Sequence, residues 1–353
     1  MSPIKPKEKR SLENQAHTVK CHLPSIQLYM NSPDFRTPEP RKNLRTFHKP
    51  ISIWKISGRD YSLSPFPRWM GILNLTPDSF SDGGRLAIKA PAESPFQVDI
   101  DAALRHARGL ISQGADIIDV GGESTRPGSE PVEPAEQIRR TEEVIRRLAL
   151  LTDAPISIDT TSAEVSDRAL SAGASIVNDI SGGLFEPEIL DVVRKFRAGI
   201  CIGHIQGIPS QMQRSPHYKN AAEEVALFLR NRTEELISAG IEPEQIVIDP
   251  GIGFGKTTAH NLDILSRLDL LRDIGPPILI GISRKRFLGE LADRGAFPNP
   301  PEELSEKRDF YTAVVTKRLI SEGVAIFRVH DVGYNRAAVN DPDLPHFSFP
   351  LPV

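Results

Sequence analysis

Eight short apolar runs, each stopping at a polar, hydrogen-bonding residue and each parted from the next by a stretch of helical period, shape this 353-residue chain. The runs stop at Asn74, Asp119, Asp159, Asn178, His204, Asp249, Ser283 and His330. Candidate strands are residues 69–75, 116–121, 155–159, 175–179, 200–205, 246–250, 278–282 and 325–330, rich in the β-branched and apolar side chains of parallel strands buried on both faces. Between them Leu104, Ala107 and Ile111, and again Ala222, Val225, Ala226 and Leu229, recur at helical spacing. Gly114, Gly173, Gly240 and Gly323 stand where a left-handed residue would close a helix, and Pro134 suits a first helical turn. A doubly wound open sheet shares this alternation. Eight successive units favour closure into a (β/α)8 TIM barrel, a fold that puts its chemistry where the strands end.

Composition narrows the class of partner. A hydrophobic content of 39% suffices for one large domain, since a barrel takes about 250 residues and leaves a remainder. The net charge of -3 and isoelectric point near 6.3 give no bias toward nucleic acid or an anionic membrane, which points to small-molecule substrates. No apolar stretch approaches the roughly 18 residues that cross a bilayer. Only Cys21 and Cys201 are present, so the expectation is a soluble, cytoplasmic protein without a disulfide framework.

Residues 1–50 carry ten Lys and Arg against four Asp and Glu, with seven prolines and no persistent period. Such a segment buries too little to offset its ordering entropy and reads as a disordered extension. Glu8 and Glu13, with few serines, argue against a transit peptide. Residues 51–63 alternate around Ser57-Gly58 and predict a hairpin capping the bottom of the barrel. The expected organisation is therefore the extension 1–50, a catalytic barrel 51–345 and a tail 346–353.

The strand ends hold the chemistry. After the first run come Asn74, Thr76, Asp78, Ser79, Ser81 and Asp82, more polar groups than a turn requires and suited to a polar substrate or an ion. After the second, Gly121 and Gly122 permit close backbone approach and Arg126 offers a guanidinium to a phosphate. Asp159, Asn178 and Asp249 end three separate strands and converge on one cleft, where carboxylates and an amide can read the donor and acceptor edge of a flat heterocycle. Ser283 and Lys285 end the seventh strand. Arg328 and His330, two apart on the eighth, share a face and make a paired anion site in the region where such barrels bind phosphate.

The segment IVIDPGIGFGKTTAHN (246–261) ends like a phosphate-binding P-loop, but that pattern needs glycine five positions before Gly255, where Pro250 stands. Gly251, Gly253 and Gly255 are better read as letting the chain skirt a ligand, with Phe254 as an aromatic wall.

Taken in order, MGILNLTPDSFSDGG, GADIIDVGGESTRPG, SIDT, IVNDISGG, IDPGIGFGK, ISRKRFLG and RVHDV resemble the dihydropteroate synthase family of pterin-binding enzymes over roughly residues 51–340. The resemblance implies condensation of 7,8-dihydropterin-6-ylmethyl diphosphate with 4-aminobenzoate, a Mg²⁺ cofactor, a homodimer and susceptibility to sulfonamides. It assigns Asp159, Asn178, Asp249 and Lys285 to the pterin, and Asn74, Arg126, Arg328 and His330 to the diphosphate and its Mg²⁺. Thr125, Pro127, Phe254, Ser283 and the stem of Lys285 would bound the aminobenzoate pocket.

These residue types suit that chemistry, because departing pyrophosphate leaves a cation delocalised into the pterin. Arg328 and His330 would meet the growing anion and Asp249 the cation, so no protein nucleophile is needed. The sequence departs from the family in a long first loop after Gly84, and in Ile205 and Ile252, where many relatives carry methionine and phenylalanine. Two other readings are a pterin-binding methyltransferase-type domain and a non-catalytic pterin-binding paralogue. The STRPG loop and SRK motif speak against the first, and retention of Arg126 and Lys285 against the second.

Overall fold

The computed structural model describes residues 51–64, 67–77, 96–302, 304 and 306–349, all within a compact unit spanning residues 36–353. The extension 1–50 and the loop positions Asp78, Ser79, Ser81 and Asp82 lie outside the described residues. Of the segment set apart as a tail, residues 346–349 are described, and the Phe347 ring stacks on Phe297 at 5.3 Å.

Two strands form an antiparallel hairpin, β1 (Ile53–Ile56) and β2 (Arg59–Ser62). Eight more run parallel: β3 (Arg68–Asn74), β4 (Ile117–Gly121), β5 (Ile156–Asp159), β6 (Ile176–Asp179), β7 (Gly199–Gly203), β8 (Ile246–Asp249), β9 (Leu279–Ile280) and β10 (Ile326–Val329). Their order around the sheet is β8-β7-β6-β5-β4-β3-β10-β9, and a lone parallel bridge between Ile248 and Ile278 joins its two ends into a barrel. Helices separate successive strands, among them α1 (Ile100–Ser112), α2 (Pro134–Ala149), α3 (Ala163–Ala172), α4 (Ile189–Phe196) and α5 (Ala221–Ser238). The expected barrel and its bottom hairpin are thus present.

Local chemistry accounts for the boundaries. α1 starts where the Asp99 carboxylate accepts from the Ala102 amide, and it buries Leu104, Ala107 and Leu110. α2 begins at Pro134, whose missing N–H costs nothing in a first turn. α3 closes on Gly173 at φ 118°, the left-handed conformation expected there.

Side chains alternate along a strand, so one set faces the barrel axis. Met70, Ile117, Ile176, Cys201, Val247, Leu279 and Ile326 make an apolar layer at the strands' N-terminal ends, and Trp54 of the hairpin plugs it, fully buried. Its indole N–H donates to the Gln245 carbonyl at 2.8 Å, as a buried indole requires. The hairpin turns at Ser57 and Gly58, both with positive φ, the geometry that matches strand twist. Two residues further along the same strands stand Asp119, Asn178, Asp249 and Arg328. The inward face therefore changes from apolar to polar in one step, toward the C-terminal end.

Candidate functional site

A cleft of about 510 Å³ opens there, and the twelve residues assigned from the sequence to substrate or metal line it. Its floor is built on strand positions, so the backbone ladder fixes where these side chains begin. Asp159 and Asn178 are Cα partners across β5 and β6, and both are buried. Asp249 ends β8 and Arg328 lies in β10.

The hub of the floor is Asp119, in the middle of β4 and fully buried. Its Oδ2 accepts from Arg328 Nε at 2.6 Å and from Asn178 Nδ2 at 3.2 Å, while Oδ1 has no hydrogen-bond partner. Arg328 Nη2 reaches Asp159 Oδ2 at 2.7 Å. Asn178 gives one amide N–H to Asp119, which orients the side chain and leaves its carbonyl oxygen and second N–H to meet a ligand. Burial works against the Arg328 charge, but Asp119 and Asp159 outweigh it and hold the guanidinium above its ordinary pKa. Burial pushes the Asp159 carboxyl up to about 7, against the pull of Arg328. The face shared by Arg328 and His330 thus exists, but part of the arginine fork is already engaged with carboxylates.

His330 stands above Arg328 and opposite Ser283. The Ser283 hydroxyl accepts from the His330 backbone N–H at 3.1 Å and lies 3.0 Å from Nδ1. Burial, reinforced by Arg284, Arg328, Arg126 and Arg308, drives the imidazole well below its ordinary pKa, so it is neutral. In the tautomer whose Nδ1 accepts the Ser283 hydroxyl hydrogen, the ring proton sits on Nε2 and can be donated to an anion. Between Ser283 and Lys285 the chain turns through Arg284 at φ 58°, a conformation costly for a residue with a side chain. A two-bond ion pair to buried Asp309, both contacts 2.9 Å, holds it there.

Across the cleft, Asp249 Oδ1 accepts from the Gly251 amide at 2.8 Å. Burial raises this carboxyl's pKa and Lys285 opposes the rise. Burial lowers the Lys285 ammonium to about 8, with Asp249 acting against the shift. Lys285 donates to the Ile252 carbonyl and sits 4.2 Å from the centre of the Phe254 ring, a cation–π contact. The Phe254 ring therefore lines the cleft beside Lys285. The neighbouring glycines differ from expectation. A Cβ on Gly251 would stand 1.9 Å from the His204 carbonyl oxygen and one on Gly255 2.3 Å from that of Gln206, so at these two positions the chain skirts its own next loop rather than a ligand.

Thr125, Arg126 and Pro127 ride on the loop after β4. Glu123 anchors that loop by accepting from the Val132 amide at 2.7 Å, and burial raises its pKa. Asn74 ends β3, half-buried, with Oδ1 3.3 Å from where a Cβ on Gly121 would be. Among the described residues no group of three His, Cys, Asp or Glu could hold a metal. A Mg²⁺ ion commonly takes few protein ligands and completes its shell with water and substrate phosphates, so one neutral oxygen beside an anion site fits it.

Three groups here carried no role in the sequence reading. Asp119 was marked as the end of the second run but not assigned to the site. Arg284 lies between two residues that were flagged. Lys256 was set aside with the failed P-loop pattern, yet its amine is 2.8 Å from His204 Nδ1.

The family model described as pterin binding enzyme matches residues 70–330. A dihydropteroate synthase of Synechocystis sp. is 44% identical over 263 residues, covering 74% of this chain and 84% of that protein. A solved Xanthomonas albilineans dihydropteroate synthase with 4-aminobenzoic acid is 38% identical at a TM-score of 0.70, covering 82% of this chain and 96% of that one. The same enzyme in complex with 7,8-dihydropteroate matches at 36% identity and a TM-score of 0.66, over 81% and 96% of the two chains. A barrel whose inner face turns from apolar to polar at the matched positions, and likeness of this extent, place the chain in the pterin-binding enzyme family, among the dihydropteroate synthases.

Proposed function

We infer that the chain joins 7,8-dihydropterin-6-ylmethyl diphosphate to 4-aminobenzoate, giving 7,8-dihydropteroate and pyrophosphate in folate biosynthesis. The observation that carries this reading is the division of one cleft into two chemistries. Acceptors from Asp159, Asn178 and Asp249 suit the donor edge of a pterin on one side. Arg328, His330 and Arg126 suit a diphosphate on the other.

In the reaction the bond between methylene carbon and diphosphate oxygen breaks, and its electron pair leaves with pyrophosphate. The arylamine nitrogen forms the new bond to that carbon and then loses a proton. The residues here do not attack. His330 Nε2–H and the Arg328 and Arg126 guanidinium groups stabilise the negative charge that grows on the leaving group, while Asp249 faces the positive charge that grows on the ring. Phe254 and the Lys285 stem on one wall, with Thr125 and Pro127 on another, would exclude water from the cation and seat the aminobenzoate ring. Sulfonamides, which mimic that ring, should compete for the same place.

The Mg²⁺ cofactor belongs to this proposal. Asn74 would hold it beside the diphosphate, where the ion would supply charge neutralisation to the leaving group. A homodimer and a cytoplasmic location complete the reading. A single free cysteine among the described residues, buried Cys201, and the lack among them of any helix long and apolar enough to cross a membrane are consistent with it. The test is a coupled assay of pyrophosphate release with both substrates and Mg²⁺, beside an assay of methyl transfer from methyltetrahydrofolate. Release that requires both substrates is expected. No release, or methyl transfer in its place, overturns the reading.

A further inference from the structure

We propose that Lys256 is a positioning residue: through His204 and the carbonyls around it, its amine holds the loop after β8 in the one shape that seats the pterin and the aminobenzoate ring. The inference rests on the substrate reading above.

The loop is held from outside: Asn261 accepts from the Gly253 N–H at 2.9 Å, Tyr218 donates to the Gly255 carbonyl at 3.1 Å, and Lys256 supplies the densest set of bonds. Gly251, Gly253 and Gly255 all have positive φ, and glycine loses more conformational freedom on ordering than any other residue. Lys256 folds back beneath it and is 2% exposed. Its Nζ lies 3.0 Å from the Gly251 carbonyl oxygen and 3.1 Å from that of Phe254, so the loop closes on the amine. The same Nζ lies 3.2 Å from the His204 carbonyl oxygen and 2.8 Å from His204 Nδ1, which fastens the loop to the neighbouring strand end. His204 is itself fixed. Its backbone N–H donates to the Asp249 carbonyl at 3.1 Å, and its ring meets Phe228 edge-on at 4.8 Å.

Three carbonyl oxygens and the His204 ring nitrogen surround the amine and give each of its hydrogens a partner within the protein, which points to a positional role. What it positions follows from the loop's other side. There the Gly251 N–H holds the Asp249 carboxylate, the Ile252 carbonyl holds Lys285, and Phe254 presents its ring. All three contacts lie on the pterin and aminobenzoate side of the cleft. Arg328 and His330 belong to β10 and its end, and no bond from Lys256 reaches them. The lysine of the GKT triplet thus acts on its own protein's carbonyls rather than on phosphate.

The experiment compares Lys256→Met with the parent enzyme. Both KM values are expected to rise by about tenfold or more and kcat to fall as Asp249 loses its place, while pyrophosphate affinity, measured by calorimetry with Mg²⁺, is unchanged. Amide hydrogen exchange over residues 251–255, which needs no substrate, should speed up at least about tenfold. KM values within about twofold of the parent, unchanged exchange, or a parallel fall in pyrophosphate affinity would overturn the proposal. If Lys256→Met does not fold, a second pair decides. His204→Leu should raise both KM values and the exchange rate at least about threefold, and His204→Gln, which restores an acceptor, should return them to within about twofold; no difference between the pair overturns it. Absence of turnover in the parent enzyme would count against the substrate reading alone, since the exchange measurements still judge the role of Lys256.

Discussion

Asp249→Asn separates a carboxylate that reads a ligand from one that merely caps a turn. In the structure Oδ1 already accepts from the Gly251 amide at 2.8 Å, so the other oxygen is the one that can face a pterin. An asparagine has two ways to fit, and both fail. If its oxygen keeps the Gly251 bond, its amino group points donors at the donor edge of the pterin. If it flips, the Gly251 N–H loses its partner inside a buried site. Either arrangement forfeits a charge-assisted bond or leaves a buried group unsatisfied, costing about 1.5 to 3 kcal/mol, or roughly ten- to hundredfold in affinity. The fold should survive, because burial already disfavours the charge that the substitution removes. Calorimetric titration with a pterin, beside a thermal melt, measures both quantities. A folded variant that binds pterin as tightly as the parent would refute the assignment of Asp249 and the orientation argued for it.

Three further outcomes are expected. Lys285 is held to about 8 by burial, so the charged form that a pterin carbonyl would meet is lost as pH rises through that value. Pterin affinity should therefore fall by up to about tenfold per pH unit above it, and Lys285→Arg should abolish the slope; a flat profile in the parent would show that the ammonium is not used. Ser283→Ala frees His330 to place its proton on Nδ1 instead of Nε2, and pyrophosphate affinity should drop by about three- to tenfold in calorimetry, an unchanged value counting against the tautomer assigned here. Last, 4-aminobenzoate should bind at least about tenfold more tightly when pterin, Mg²⁺ and pyrophosphate are present, with that coupling lost in Arg126→Ala, as fluorescence or calorimetric titration would reveal.

The barrel was legible because its two periods are physical. Alternate residues on a buried strand must face the same way, so apolar Val247 at the bottom of β8 announces Asp249 above it, and Ile326 announces Arg328. Asp119 obeys the same rule and was visible as a strand residue, but its partnership with Arg328 joins positions 209 apart and leaves no local trace. Lys256 shows the other limit. Its neighbours in sequence suggest a phosphate loop, and only the approach of His204 from another strand shows where the amine goes.

The ring of strands closes unevenly. Seven joints are ladders, whereas the joint between β8 and β9 rests on the single bridge from Ile248 to Ile278. Just above that seam, the bond from Lys285 to the Ile252 carbonyl spans the same gap with a side chain. Asp249 lies on one bank and Lys285 on the other. A pterin held by both would act as a removable rung, completing with its own hydrogen bonds a wall that the backbone leaves thin.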